Sequence, residues 1–274
     1  MENYHPVKAP CDGNASVLHA RTEDEAPASY PELYRSITSS IMHLAVWTRP
    51  DIAYVVNKLC QYNHNPSEIR TKSAKHLLRY IARTLDYGIT HSHSGGNTLY
   101  GMFMDHYDNS LSTTPLYGYS DGSGASDPDD RCSTSGYVFF YNNGAVIWAS
   151  RKQKYTVALS SMESEYVALT EAAKEAAFLR KLLRSMNLAQ TSPTLILTDS
   201  ESALKNIKNN VNHSRAKHIN TRHHYIRMAY NSGEVDIRHV PSASQTADIL
   251  TKPLGILKHA EAVNLLMLHD IRYI

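Results

Sequence analysis

The region after Pro115 constrains the fold more than any other part of the chain, because its pattern changes from helical to strand-forming. Short runs of β-branched and aromatic residues come first, and an Asn143-Gly144 turn predicts a hairpin. The predicted strands are 116–121, 136–141, 145–150, 194–198 and 235–240, and the predicted helices are 162–186, 201–208 and 214–230. Strands that pair first and then alternate with helices indicate an α/β domain with a mixed sheet covered by helices.

The region from Pro31 to Leu85 has helical periodicity in three pieces. Thr48-Arg49-Pro50-Asp51 and Asn65-Pro66-Ser67 separate these pieces, and each combines a helix stop with a capped start. The third piece has an apolar face of Ala74, Leu77, Leu78, Ile81 and Leu85, and a cationic face of Lys72, Lys75, Arg79 and Arg83. The cationic face is either a solvated surface or a stripe that follows nucleic-acid phosphates.

These patterns divide the chain into four parts. Residues 1–29 are polar, broken by prolines and glycines, and predicted to form a disordered leader. A small α-helical unit is expected at 30–98, and the α/β domain at 115–256, with loop-forming residues between them. Residues 257–274 are expected to form a C-terminal helical tail.

Composition excludes several classes of protein. Three widely spaced cysteines without a C-x-x-C pair encode neither a disulfide framework nor a zinc ribbon, and they fit a reducing compartment. No apolar run reaches the ~18 residues that a membrane span needs, and the N-terminus has no signal-peptide core. We therefore expect a soluble, intracellular protein with no membrane partner. The net charge of +2 still permits locally basic faces for nucleic acid.

Four acidic residues occupy positions from which their side chains can converge. Asp121 and Asp199 each end a predicted strand, Glu165 lies on the first turn of the intervening helix, and Asp248 lies near the start of a late helix. Carboxylates that lie together repel one another, and divalent cations bound by oxygen ligands relieve that repulsion. The four residues predict a site for two divalent ions, an arrangement that hydrolyses phosphodiesters. For any one of them alone, a turn or helix-cap role is the alternative.

Glu165 is preferred over its neighbour Glu163 as the site residue. Ser160-Ser161-Met162-Glu163 matches the S-x-x-E capping box, which gives Glu163 a structural task at the start of the helix. Glu165 remains available as a ligand. Its neighbour Tyr166 begins the apolar stripe of this helix, so Glu165 is expected at the margin of the core.

Several motifs resemble the ribonuclease H domain of the polyproteins of copia-type long-terminal-repeat retrotransposons. They are Tyr119-Ser120-Asp121-Gly122-Ser123, Ser160-Ser161-Met162-Glu163-Ser164-Glu165-Tyr166, Leu197-Thr198-Asp199-Ser200, Lys217-His218-Ile219 and Thr246-Ala247-Asp248-Ile249-Leu250-Thr251-Lys252. Upstream, Thr48-Arg49-Pro50-Asp51-Ile52-Ala53-Tyr54 and Leu85-Asp86-Tyr87-Gly88 resemble the end of the same elements' reverse transcriptase. The resemblance covers roughly residues 30 to 260.

The resemblance implies a fold, an activity and a set of partners. The fold is a ribonuclease H-like mixed five-stranded sheet flanked by helices, and the implied metal ligands are Asp121, Glu165, Asp199 and Asp248. Two Mg²⁺ or Mn²⁺ ions are the implied cofactors, and the RNA strand of an RNA–DNA hybrid is the implied substrate. The family also suggests a role for His239 in product release or proton transfer. The polymerase portion of the same polyprotein is a second expected partner, in the cytoplasm within a virus-like particle or in the nucleus.

The chain also departs from the family pattern. It contains no Tyr-x-Asp-Asp polymerase motif, which excludes DNA synthesis by this chain in isolation. Asn220 replaces an acidic residue, and the loop 126–131 holds an unusual Asp-Pro-Asp-Asp run, as expected of a drifting copy. The alternative function is therefore a catalytically silent, nucleic-acid-binding remnant of a truncated retroelement polyprotein.

A hybrid-binding protein needs cations that contact phosphates and groups that sense the 2′-hydroxyls of RNA. The candidate substrate contacts are Arg151, Lys152, Lys154, Lys217, His218 and Arg222. A zinc site is an alternative for the histidine-rich stretch 213–224, although no cysteine pair lies nearby.

A serine hydrolase is the third alternative. Gly118-Tyr119-Ser120-Asp121-Gly122 matches the G-x-S-x-G nucleophile elbow, and Asp199 and His239 follow in the order of an α/β-hydrolase triad. That elbow must pass directly into a helix, whereas residues 122–130 have the composition of a loop. The match is therefore interpreted as accidental.

Overall fold

The computed structural model describes residues 5–11, 22, 24–91, 116–153, 160–208 and 225–273. The helices are α1 (Pro31–Trp47), α2 (Ala53–Cys60), α3 (Glu68–Arg83), α4 (Ser161–Ser185), α5 (Glu201–Lys208), α6 (225–231) and α7 (Ile256–Leu265). The strands are β1 (Tyr87–Ile89), β2 (Leu116–Ser123), β3 (Thr134–Tyr141), β4 (Gly144–Lys152), β5 (Thr194–Thr198), β6 (Val235–His239) and β7 (Leu268–Asp270). Short 3₁₀ turns include Pro50–Ile52 and Thr246–Leu250.

Five strands form one mixed sheet in the order β4-β3-β2-β5-β6. The first three are antiparallel neighbours, whereas β5 runs parallel to both β2 and β6. The predicted α/β class and the ribonuclease H-like mixed sheet are confirmed. Because β2 and β5 are parallel neighbours, their carboxyl ends lie at the same edge of the sheet.

The hairpin between β3 and β4 turns one residue earlier than predicted. Tyr141 pairs with Gly144, so Asn142 and Asn143 form the two-residue turn. Both asparagines have positive φ, at 49° and 66°. Two-residue hairpin turns of this kind require positive φ at both central positions, and asparagine tolerates it better than most residues.

Each face of the sheet has its own core. On one face, Leu116 and Phe139 pack against α4, whose Ala172, Ala173 and Ala176 are completely buried. On the opposite face, Tyr117 and Phe140 pack against residues from the segment 247–268. The alternation of side chains along β2 and β3 explains this division, since successive residues point to opposite faces.

The helical unit of α1, α2 and α3 has a third core. Ser67 caps α3 by accepting a hydrogen bond from the backbone N–H of Arg70 over 3.4 Å. Ala74, Leu77 and Ile81 are buried as predicted, but Leu85 is 72% exposed, because α3 ends at Arg83. No helix in the described ranges combines the length and apolar character that would let it cross a membrane.

Parts of the predicted disordered leader are ordered against α3, so that expectation is wrong for residues 5–11 and 24–29. Arg79 Nε donates to the carbonyl oxygen of His5 over 2.7 Å, and Glu25 forms a 3.0 Å ion pair with the buried Arg70. A polar segment gives no periodic signal in the sequence. Its order here comes from hydrogen bonds to side chains of a distant helix.

The C-terminal segment is integrated into the fold and is not a separate tail. Helix α7 begins at Ile256, and its residues Ala262 and Val263 pack in the core beneath the five-stranded sheet. Strand β7 then pairs antiparallel with β1 of the helical unit. The predicted boundary between 256 and 257 therefore falls inside a structural element that joins the two halves of the chain.

Candidate metal centre

Asp121 lies on β2, which is hydrogen-bonded on both sides, and its side chain is completely buried. The Thr251 hydroxyl donates a hydrogen bond to Asp121 Oδ2. Lys252 Nζ stands 3.5 Å from the same oxygen. The Asp121 carboxylate is therefore held at the sheet edge by two consecutive residues from the far end of the chain.

Glu165 reaches the same edge from the first turn of α4. The backbone N–H of Gly122 donates to Glu165 Oε2 over 2.9 Å, which ties the helix to β2. A side chain at Gly122 would prevent this approach, because its Cβ would stand 2.7 Å from the backbone nitrogen of Glu165 and closer still to the Ser164 carbonyl. The helix begins as predicted, with Ser160 Oγ accepting from the Glu163 N–H over 3.3 Å.

Asp199 follows β5 and completes a group of three carboxylates. Ser242 Oγ donates to Asp199 Oδ2 over 2.8 Å, which orients the side chain. One oxygen from each of Asp121, Glu165 and Asp199 lies within 4.8 Å of the other two. The predicted convergence of these three residues is therefore present in the fold.

Asp248 lies beside this group, within the 3₁₀ turn Thr246–Leu250. Its Oδ1 accepts a 2.8 Å hydrogen bond from Lys252 Nζ and is not among the three mutually close oxygens. The four sequence-predicted carboxylates thus form a tight group of three with the fourth bound to an ammonium next to it.

Burial and the repulsion between carboxylates together change the pKa values of the residues in this cluster. Burial, followed by the negative charges of Asp121 and Asp199, raises the pKa of Glu165 well above its ordinary value. Burial also raises the pKa of Asp121, while the nearby Lys252 opposes that rise. Burial alone would lower the pKa of Lys252, but attraction to Asp121 and Asp248 raises it instead. The cluster is an environment that favours added positive charge.

His239 ends β6, where it stands opposite Thr198 in the register of the sheet. His239 contributes through space to the lowered pKa of Glu201, the first residue of α5, so it lies close to the carboxyl ends of the parallel strands. This location is compatible with the role that the family resemblance suggests for His239. That role, in product release or proton transfer, stays a prediction.

The structure overturns the serine-hydrolase alternative. Strand β2 continues through Ser123, so no strand-to-helix elbow forms at Ser120. Ser120 is completely buried, and its hydroxyl has no hydrogen-bond partner in the described part of the chain. Among the described residues, that hydroxyl has neither the hydrogen-bonded base nor the open approach for substrate that a serine nucleophile requires.

Two of the predicted substrate contacts can be placed. Arg151 is exposed near the end of β4 and remains a candidate. Lys152 is engaged elsewhere, since its Nζ lies 2.7 Å from Asp127 and 2.8 Å from Asp130. Its role as a phosphate contact stays a prediction. Lys154, Lys217, His218 and Arg222, together with the histidine-rich stretch 213–224, lie outside the described residues.

Three residues of the site were not predicted from sequence, namely Thr251, Lys252 and Ser242. Thr251 and Lys252 follow Asp248 by three and four positions, a spacing that places side chains on one side of a helical turn. That spacing was the available signal for the Lys252–Asp248 pair. No local signal connects Ser242 with Asp199, which is 43 residues away.

The strand order and the carboxylates at the ends of β2 and β5 define the class: this is a ribonuclease H-like α/β domain joined to a small helical unit. No protein-family model matches the chain. The retrovirus-related Pol polyprotein from transposon RE1 of Arabidopsis thaliana is 38% identical over 225 residues, which cover 82% of this chain and 14% of that polyprotein. The chain belongs to the Pol polyproteins of copia-type retrotransposons and contains their ribonuclease H domain.

Two further similarities are shorter or weaker. Secreted RxLR effector protein 161 of Plasmopara viticola is 42% identical over 146 residues, covering 53% of this chain and 90% of that protein. The ribonuclease H1 of the halophilic archaeon Halobacterium salinarum aligns over 54% of this chain and 97% of its own, with 19% identity and a TM-score of 0.37. This chain spans less than a fifth of the length of the Pol polyproteins that it matches.

Proposed function

We propose that the chain hydrolyses the RNA strand of RNA–DNA hybrids with the help of two divalent metal ions. The observation that carries this proposal is the group of three carboxylates, two of them buried, whose oxygens lie within 4.8 Å of one another at the carboxyl ends of two adjacent parallel strands. Carboxylates so close together repel one another, and added cations relieve that repulsion. Membership of the retrotransposon Pol family supports the same activity.

The donor set fits Mg²⁺ or Mn²⁺. All the candidate ligands are carboxylate oxygens, the type that these hard cations prefer. Asp121, Glu165 and Asp199 would hold one ion, and Asp248 would join Asp121 in holding the second. When bound, such ions activate water and stabilise the leaving oxygen of a phosphodiester.

The protein's own groups orient these ligands. The Gly122 N–H fixes Glu165, the Thr251 hydroxyl fixes Asp121, and the Ser242 hydroxyl fixes Asp199. Partners of this kind set the direction of a metal ligand and increase its affinity. His239 is proposed to assist proton transfer or product release at the same edge, and Arg151 is proposed to contact a phosphate of the hybrid.

The proposal extends to partners and location. The helical unit resembles the end of the reverse transcriptase, so the polymerase portion of the polyprotein is the expected protein partner. We infer an intracellular location, in the cytoplasm within a virus-like particle or in the nucleus, where such hybrids arise during reverse transcription.

The test uses the full chain and end-labelled RNA. The RNA is presented in a DNA hybrid, as a single strand and in an RNA duplex, each with Mg²⁺ or with EDTA. We expect fragments only from the hybrid and only with metal, and none from the Asp199→Asn variant. Intact RNA in every reaction, with the hybrid still retained in a gel-shift assay, would instead identify a silent nucleic-acid-binding remnant.

A further inference from the structure

Lys252 places its ammonium group between two of the four carboxylates. Its Nζ lies 2.8 Å from Asp248 Oδ1 and 3.5 Å from Asp121 Oδ2. Asp248 is only four residues away in sequence, but Asp121 is 131 residues away, so the bridge exists only in the folded chain. Within the described ranges, Lys252 is the only cation that forms an ion pair with any of the four carboxylates.

The backbone holds Lys252 at this point. Its N–H donates to the Asp248 carbonyl over 3.0 Å, and the preceding residue, Thr251, is completely buried with its hydroxyl bonded to Asp121. The Lys252 side chain itself is 40% exposed. Hydrogen bonds therefore hold the backbone at Lys252, while its side chain is partly exposed to solvent.

A divalent ion and this ammonium would compete for the same oxygens. Asp121 belongs to the tight group of three carboxylates, and Asp248 is the fourth predicted ligand. An oxygen that points at an ammonium is less available to a metal ion, and two cations held against the same pair of carboxylates repel each other. Occupation of the Asp121–Asp248 position by a metal therefore requires the ammonium to move.

We infer that Lys252 is a resident counter-cation, which holds Asp121 and Asp248 in place in the metal-free protein and is displaced when a divalent ion binds between them. The inference rests on the proposed metal site. Lys252 is a positioning residue in this account, because it acts through the two carboxylates. It stabilises the metal-free fold and weakens the affinity for the ion.

The test compares Lys252→Met with Lys258→Met in the full chain. Methionine keeps most of the length of the side chain without its charge. Lys258 is exposed on α7 and acts on Asp248 only through space, with no ion pair to it among the described residues, so its variant controls for the loss of one nearby positive charge. Lys252→Gln, which keeps a donor for Asp248, replaces Lys252→Met if the latter fails to fold.

Two quantities are measured, the Tm in EDTA and the dissociation constant for Mn²⁺ by calorimetry. We expect Lys252→Met to lower the Tm by about 2–4 °C, the shift that a loss of ~1 kcal/mol gives in a chain of this size. We expect it to tighten Mn²⁺ binding by about fivefold, the equivalent free-energy change. Lys258→Met is expected to change either quantity by less than half as much.

The inference requires both the lower Tm and the tighter Mn²⁺ binding in Lys252→Met. If only one of these two changes is observed, the inference is overturned. Equal Tm and equal Mn²⁺ affinity in wild type and Lys252→Met, with clear binding in both, would remove the role of Lys252 and leave the metal site standing. Weaker Mn²⁺ binding in the variant would also contradict displacement. Absence of Mn²⁺ binding in every protein would overturn the inference together with the proposed function.

Discussion

Lys58 of the helical unit and Asp127 of the α/β domain form an ion pair of 2.7 Å in which both side chains are almost completely buried. Lys152 contacts the same carboxylate, and these two ammonium groups outweigh the effect of burial and lower the pKa of Asp127 to about 2. Trp148 Nε1 strengthens the same junction by donating to the Ala45 carbonyl over 2.7 Å. The helical unit is therefore part of the structure that supports the nuclease-like sheet.

The first prediction concerns this ion pair. Lys58→Met is expected to lower the free energy of unfolding by about 2–3 kcal/mol, because removal of one partner leaves a buried charge, typically at a loss of about 3–5 kcal/mol, and Lys152 still compensates part of it. Urea denaturation followed by fluorescence measures the change. The control is Lys205→Met, whose ion pair with Glu201 is exposed to solvent and is expected to contribute little to stability. Similar losses in the two variants would contradict the structural role of Lys58.

The second prediction concerns the approach of β2 to α4. Gly122→Ala is expected to destabilise the protein by about 1–3 kcal/mol, since the new Cβ would overlap the backbone at Ser164 and Glu165 and force the helix away. It should also weaken Mn²⁺ binding, because Glu165 moves with the helix. Gly255→Ala is the control, since a Cβ there meets nothing within 4 Å. An unchanged Mn²⁺ affinity in a folded Gly122→Ala protein would show that Glu165 does not depend on this approach.

The third prediction follows from the raised pKa of Glu165. A carboxyl group whose pKa is higher in the folded state binds more protons there, so its contribution to stability is present below its ordinary pKa and is lost as the pH rises through the folded-state value. In EDTA, Glu165→Gln should therefore gain Tm relative to wild type as the pH increases from 5 to 8, by roughly 3 °C or more.

Metal provides the control for that experiment. Mn²⁺ at pH 8 should stabilise the wild type more than the Glu165→Gln variant, because only the wild type has the full set of carboxylates. A Tm difference that stays constant between pH 5 and 8 in EDTA would contradict the electrostatic description of the cluster.

Local patterns in the sequence are sufficient to predict much of the fold and part of the site. Helix α4 was predicted to within one residue at each end, and β5 was predicted at its observed bounds. The capping box at Ser160 correctly separated Glu163 from Glu165. These features depend on residues that are close in the chain, so the sequence encodes them directly.

Several features that sequence analysis missed depend on contacts between distant residues. The Asp-Pro-Asp-Asp run in the loop 126–131 suggested a drifting copy, but each aspartate has a partner in the fold. Asp127 pairs with Lys58, the Tyr62 hydroxyl donates to Asp129, and Asp130 pairs with Lys152. Likewise, the bond between Thr251 and Asp121 spans 130 residues. No local pattern specifies such pairs, because their cause is the packing of the two halves of the chain.

The most direct test of the central claim compares Glu165→Gln with Glu163→Gln in the cleavage of an RNA–DNA hybrid. The two residues lie two positions apart on α4, and only Glu165 belongs to the carboxylate group. We predict that Glu165→Gln slows cleavage in Mg²⁺ by more than about a hundredfold, since loss of even an outer partner of a metal ligand typically costs about 10–100-fold. Glu163→Gln should stay within about threefold of wild type, below that range. Equal rates for the two variants, or a larger loss in Glu163→Gln, would contradict the assignment of the metal centre.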